Sequence, residues 1–257
     1  MRRAIIGGTG VYGISNSAVS RDVSTPFGEV SVDILTLGGN EIVFLPRHGK
    51  KHGVPPHLIN YRANMMALKQ LEVSYVYATC AVGSCNTGYE PGDVVILTDF
   101  LDFTKSRAHT FHDGSDGVKH TDMSDPYCGN LRGLLEQQAG SRNVAFKGNA
   151  VYVCTEGPRF ETAAEIKMYR SMGGDVVGMT NVPEVNLAKE LGMCYAAAGI
   201  VTNWCTGMAA GDIVMHDILS SMDKSKEKLT KLFMDILSTE PGRDNCSCKN
   251  AVMNLGN

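Results

Sequence analysis

The residues best suited to chemistry fall in short clusters, each following an apolar run. The first is Gly7-Gly8-Thr9-Gly10. Glycines let backbone N–H groups converge on an anion, and the Thr9 hydroxyl adds a donor, which is the shape of a phosphate cradle. A plain tight turn is the alternative. The motif is neither the dinucleotide fingerprint G-x-G-x-x-G nor a P-loop, since no Gly-Lys-Ser/Thr follows. The second cluster, Pro46-Arg47-His48-Gly49, joins a planar guanidinium fork to an adjustable imidazole donor. Alone it could be a surface loop; beside a Gly-Thr-Gly turn an anion site is the better reading. His52 and His57 follow without metal-ligand spacing and read as loop packing. In Thr79-Cys80-Ala81-Val82-Gly83-Ser84, small residues after a strand would let a ligand approach the backbone, or simply pack.

Three further clusters suit a flat, polar ligand. Glu156-Gly157-Pro158-Arg159-Phe160-Glu161-Thr162 places two carboxylates, a turn and an aromatic just before a helix. Phe160 could stack on a ring and Glu161 accept from ring N–H groups; a core Phe and a helix-start charge are the alternative. In Gly178-Met179-Thr180-Asn181-Val182-Pro183-Glu184, Met179 suits a sugar face and Thr180 an anion or hydroxyl, unless Thr180 or Asn181 merely caps the helix. Thr202-Asn203-Trp204-Cys205 ends an apolar strand. A buried Asn must satisfy both a carbonyl and an amide, so Asn203 could read a base edge carrying adjacent donor and acceptor.

The elements that position these clusters are legible from periodicity. Residues 2–6, 30–37, 42–45, 73–78, 94–97, 150–154, 175–177 and 194–202 read as strands, several nearly continuous in apolar residues as strands buried on both faces are. Helical periods fall at 57–71, 130–139, 163–172, 183–191 and 217–237, with Thr162 available to cap the third. Strands interleaved with helices imply one α/β domain with helices flanking a largely parallel sheet, and ligands at strand carboxyl ends. The expected organisation is one domain over 1–240 and a C-terminal tail over 241–257.

Composition narrows the function class. The 257 residues carry 24 Lys+Arg against 27 Asp+Glu, a net charge of −3. That balance excludes a nucleic-acid binder working by bulk charge and argues against anionic membrane surfaces. No apolar run reaches the ~18 residues of a membrane span, and the basic start is too short for a signal-peptide core, so a cytoplasmic protein is expected. Among the 8 cysteines, Cys80, Cys154 and Cys194 read as reduced core residues. Cys246-Ser-Cys248 is half of a metal site at best, with no second Cys/His pair nearby in sequence. A flexible tail or a redox-active CxC are the other readings, and no metal is expected.

Taken in order, IIGGTG, PRHGKKH, NYRAN, GYEPGDVV, DPYC, TEGPRFET, GMTNVPE and VTNW resemble the trimeric purine nucleoside phosphorylase family, including its methylthioadenosine-phosphorylase branch. The resemblance spans roughly residues 4–237. It implies a twisted mixed β-sheet flanked by helices, a homotrimer, and phosphorolysis of a purine nucleoside with inorganic phosphate as co-substrate and no cofactor. By the same resemblance Thr9, Arg47, His48, Ala81 and Thr180 would hold phosphate, and Met179 would line the ribose. Phe160 and Glu161 would meet the base, with Asn203, and beside it Trp204 and Cys205, at its N7 and 6-position edge. His120 would reach a neighbouring subunit's site, and His216 would stand at the sugar's 5′ end. Asn203 and His48 are the expected catalytic groups.

The implied chemistry needs no side-chain nucleophile. The sugar becomes oxocarbenium-like as the purine gains negative charge, and phosphate captures C1′. The methylthioadenosine branch places an acidic pair at positions that here correspond to Asn203 and Cys205. The wording at these positions, with Glu161 able to accept an N1–H that adenine lacks, favours 6-oxopurine nucleosides. A methylthioinosine or methylthioadenosine phosphorylase is the alternative, and a nucleosidase or a non-catalytic purine binder would be distinguished by phosphate dependence and turnover.

Overall fold

Periodicity ends a strand at residue 78 with the small residues Thr79–Ser84 after it, yet these too are strand. The computed structural model describes residues 2–8, 18–50, 53–141, 146–209, 232–239 and 246–255. In it β5 runs unbroken from Val73 to Ser84. Its small side chains allow close neighbours on either side, and this strand is the hinge of the architecture.

The strands preceding it are β1 (Arg2–Gly7), β2 (Val19–Thr25), β3 (Gly28–Leu37) and β4 (Asn40–Pro46). Those following are β6 (Val94–Phe103), β7 (Lys119–Thr121), β8 (Phe146–Thr155), β9 (Val176–Gly178), β10 (Cys194–Trp204) and β11 (Val252–Asn254). The first half of β5 pairs in parallel with β1, which continues through β4 and β3 to β2. On its other edge β5 pairs in parallel with β10. From β10 the ladder runs through β6 and β8 to β9, and β9 returns to the end of β5 at Gly83 and Ser84. The nine-stranded sheet thus closes on itself over five strands and leaves four as an open wing. The fold is the expected α/β single domain with a mixed sheet. It is less parallel than the strand–helix alternation alone implies, because β6, β8 and β9 run against β5 and β10.

Helices α1 (Tyr61–Gln70), α2 (Gly129–Ser141), α3 (Ala163–Ser171) and α4 (Asn181–Glu190) flank the sheet. α1 begins later than the periodicity suggests, because Pro56–Leu58 forms a separate short turn and the Asn60 side chain caps the helix by accepting from the Ala63 N–H. Thr162 caps α3 as expected, in a capping box with Glu165. Of the expected last helix, residues 232–238 are described as helical, with Phe233 and Leu237 buried in the core. β10 alternates between two cores: Tyr195, Ala197 and Val201 face one, and Cys194, Ala196, Ala198 and Ile200 face the other.

The C-terminal segment is not loose over its described part. Cys248 is buried, and β11 pairs antiparallel with β7. A side chain at Gly192 would meet Lys249. No helix among the described residues is long and apolar enough to cross a membrane.

Candidate active site

The cationic corner is assembled from four segments. β4 delivers Arg47 just past its end, where the Arg47 N–H donates to the Gly7 carbonyl. The Arg47 Nε and Nη2 each donate to Glu184 of α4 at 2.7 Å, and Nη1 donates to the Thr79 carbonyl of β5 at 2.7 Å. Neither side chain of the pair is exposed to solvent. Burial opposes the Arg47 charge, but Glu184 overrides it, and the guanidinium pKa stands well above its ordinary value. A guanidinium has five N–H groups, and these partners among the described residues occupy three. Tyr195 of β10 donates to Glu184 Oε1 at 2.6 Å, which fixes the carboxylate from behind.

Gly8 closes this corner. Its N–H donates to Thr79 Oγ1 at 3.2 Å. A Cβ there would stand 2.5 Å from the Thr79 carbonyl oxygen and 2.7 Å from Arg47 Nη1. Only glycine lets the chain pass so near the guanidinium. Thr9 lies outside the described residues. His48 is buried, with Nδ1 at 2.8 Å from the Val54 carbonyl. A carbonyl can only accept, so Nδ1 carries the hydrogen. Ala81 sits mid-strand in β5, in register with Ile200 of β10. Thr180 is buried and its N–H donates to the Tyr152 hydroxyl at 3.1 Å; its side chain makes no cap on α4, so the capping alternative fails for this residue.

The polar edge beyond the corner is built on the ends of β8, β9 and β10. Glu161 is buried and accepts from Thr155 Oγ1 at 2.7 Å. It borders a cavity of about 290 Å³ with Phe103, Lys105, Thr155, Gly157 and Tyr169. Met179 presses on Gly157, where a Cβ would come within 2.6 Å of its sulfur and φ is +67°. Asn203 is part-buried at the end of β10. Its Oδ1 accepts from Thr202 Oγ1 at 2.7 Å, and its Nδ2 donates to the Trp204 carbonyl at 2.9 Å. It stands in register with Gly83, where a Cβ would sit 3.3 Å from Asn203 Nδ2 and 2.9 Å from the Cys205 sulfur. Cys205 is buried, and hydrogen bonding with Cys85 together with burial raises its thiol pKa. Phe160 does not join this packing: 48% of it is exposed. The core alternative for Phe160 therefore fails. His120 is exposed on β7, and His216 lies outside the described residues.

Residue types alone did not single out Glu184, Tyr195, Thr79 or Arg107. Arg107 is buried and donates to the Tyr61 hydroxyl and to the Val182, Thr155 and Glu156 carbonyls, tying the Glu156 loop to the start of α4. Its signal in sequence is slight: one Arg in a polar stretch, Ser106-Arg107-Ala108.

With this geometry in view, likeness to known proteins is decisive. The phosphorylase superfamily model matches residues 2–238. The chain belongs to that superfamily. A "probable 6-oxopurine nucleoside phosphorylase" of Moorella thermoacetica is 49% identical over 98% of both chains. The 6-oxopurine nucleoside phosphorylase of Pyrococcus furiosus is 46% identical over 98% of this chain and 97% of its own. A "probable S-methyl-5′-thioinosine phosphorylase" of Methanopyrus kandleri is 43% identical over 96% of each. Among solved structures, methylthioadenosine phosphorylase from Schistosoma mansoni in complex with adenine superposes with a TM-score of 0.87 at 33% identity, covering 92% of this chain and 90% of that one. The family expected from the ordered motifs is thereby borne out.

Proposed function

We propose that this enzyme is a purine nucleoside phosphorylase acting on 6-oxopurine nucleosides, with inorganic phosphate as co-substrate and no cofactor in the reaction. The observation that carries the reading is the fixed, buried Arg47–Glu184 pair beside a Gly8 that admits no side chain, tied through Thr79 to β5, whose far end pairs with Asn203. The similarity to 6-oxopurine nucleoside phosphorylases supports it.

In this reading Thr9, Arg47, His48, Ala81 and Thr180 surround phosphate below C1′ of the sugar, against Met179. The C1′–N9 bond breaks with its electron pair going to the purine, and a phosphate oxygen bonds to C1′. Asn203 stabilises the leaving base at N7 and O6, as preorganised donors do at about 3–4 kcal/mol each. His48, oriented by its Nδ1 bond to Val54, acts through its other nitrogen. Glu161 takes the N1–H that a 6-oxopurine has and adenine lacks. Phe160 closes over the base. The assembly is a cytoplasmic homotrimer in which His120 of β7 reaches a neighbouring site, and its exposure in the single chain leaves it available for that role.

A substrate panel with and without phosphate tests the reading. Inosine and guanosine should outrun adenosine, and turnover should need phosphate. Asn203→Asp should lower kcat/KM for inosine by at least ~2 kcal/mol and raise the relative rate with adenosine, because a carboxylate opposes O6 lone pair to lone pair. A wild type preferring adenosine, or a mutant of unchanged selectivity, overturns the assignment. The relatives named for methylthioinosine support a second reading. His216, expected at the 5′ end, pairs with a hydroxyl better than with a thioether, so inosine should exceed methylthioinosine, and a strong opposite preference replaces the first reading with the second.

A further inference from the structure

The Cys246-Ser-Cys248 pair acquires a second pair in space. Cys128 immediately precedes α2, and Cys194 opens β10. The four Sγ atoms all lie within 4.8 Å of one another. The Cys194 and Cys246 sulfurs are 3.6 Å apart although 52 residues separate them in sequence. Sulfurs at ~2.3 Å from a central zinc ion in a regular tetrahedron stand about 3.8 Å from each other. A disulfide requires about 2.05 Å. We propose that Cys128, Cys194, Cys246 and Cys248 form a tetrathiolate site for a zinc ion that fastens the C-terminal segment to the body of the fold.

The surroundings suit a closed structural site. Cys128, Cys194 and Cys248 are buried and only Cys246 is partly exposed, so an ion has one way in. All four belong to, or pack on, the core face of β10 opposite Tyr195 and its Glu184 contact. The ion therefore stands behind the sheet from the Arg47 corner, and its role is structural. Zinc with four thiolates carries a net charge of −2, and two features offset it. The Lys189 ammonium lies 3.9 Å from the Cys248 sulfur and is itself anchored on the Asp125 carbonyl at 2.6 Å. The backbone N–H groups of Asn130 and Leu131, in the first turn of α2, point at Cys128. Binding replaces each S–H by a Zn–S bond and releases the protons to solvent; no electrons are transferred.

The site joins three segments, two of which also meet where the Cys128 N–H donates to the Tyr195 carbonyl at 2.8 Å. Beyond Cys248 the chain forms β11, whose Met253 pairs with His120 of β7. The Asp122 N–H also donates to the Ala251 carbonyl at 2.8 Å. A fastened C-terminus thus holds the strand bearing His120. This inference is independent of the substrate assignment.

Elemental analysis of the full-length protein, purified under reducing conditions, tests it. One zinc per chain is expected. Cys248→Ser and Cys246→Ala should each reduce the zinc content to under about a tenth. If the variants fail to fold, wild-type protein reconstituted with Co²⁺ should show the absorption of tetrahedral cobalt thiolate. Chelation should release four titratable thiols and speed amide exchange in residues 119–121 and 252–254. Reduced protein that takes up neither zinc nor cobalt overturns the proposal. So does finding these cysteines joined as disulfides in the purified enzyme. Bound iron in place of zinc overturns the choice of metal, and unchanged exchange after chelation overturns the fastening role.

Discussion

The Arg47 corner and the Asn203 edge meet the same strand, β5, at Thr79 and Gly83, but are held in opposite ways. At the corner the side-chain contacts of Arg47 and the Gly8 N–H bond cross the chain: Arg47 to Glu184 spans 137 residues, Gly8 to Thr79 spans 71, and Arg47 to Thr79 spans 32. At the edge the contacts are local. Asn203 bonds to its two neighbours in sequence, and Glu161 bonds to Thr155 six residues away. If the corner holds phosphate, as proposed, it can be locked into the fold, because a phosphate ion is the same in every phosphorolysis. If the edge meets base and sugar, as proposed, its local contacts let it change identity without disturbing the core. Selectivity should therefore be easy to move and anion binding hard to move without loss of stability.

The largest effect expected from breaking this contrast is at Glu184. Glu184→Gln keeps the shape but turns an amide toward Arg47 and leaves a buried cation without its counter-charge. Breaking a buried pair from one side costs about 3–5 kcal/mol. Urea denaturation should show a loss of that size. Asn203→Asp, equally polar and near the same site, should cost stability far less. A loss at Glu184 under about 1 kcal/mol would mean that water reaches the pair and the corner is not locked.

Gly8→Ala comes next. Its Cβ would collide with a backbone oxygen at 2.5 Å and with Arg47 Nη1 at 2.7 Å. The backbone cannot yield cheaply, and such overpacking costs about 1–3 kcal/mol. The guanidinium should shift, so the KM for phosphate should rise more than the KM for inosine. Equal rises in both would place the damage in the fold at large and remove Gly8 from the anion site.

This contrast also explains what was legible in the sequence. The local devices could be read: Thr162 as a cap, the Gly-rich turn after β1, and Asn203 at a strand end. Apolar runs located most strands, because side chains buried on both faces leave a continuous signal. Polar exposed β2 left none; it lies at the sheet edge with most residues in water. The second half of β6 and the first half of β8 mix polar with apolar residues, so their apolar runs mark only part of each strand. Nothing local marks Glu184 as the partner of Arg47, nor Cys128 and Cys194 as companions of Cys246 and Cys248. Those pairings exist only once β5 has joined both arms of the sheet, since the register of distant strands decides which side chains meet.

The smallest effect is expected where a contact is both local and wet. Glu165 accepts from the Thr162 N–H at 2.7 Å and from Arg159 Nη1 and Nη2 at 2.9 and 2.7 Å, beside the base edge. The Arg159 bonds, then the Thr162 N–H, pull the Glu165 carboxyl down to about 2. The group's pKa is lower folded than unfolded. Its stabilisation is therefore complete above the unfolded value near 4.5 and fades as pH falls through about 2. Arg159 is largely exposed, so solvent screening keeps the contribution of the pair small. Thr162→Ala, which removes the other half of the capping box, should cost about 1 kcal/mol at neutral pH. The double variant Thr162→Ala, Glu165→Gln should lose less than the sum, since each residue satisfies the other's backbone N–H. Tm measured from neutral pH to pH 3 should fall less steeply in Glu165→Gln than in the wild type. Identical slopes would mean that the α3 start frays in solution and that the Glu161 loop is held by Thr155 alone.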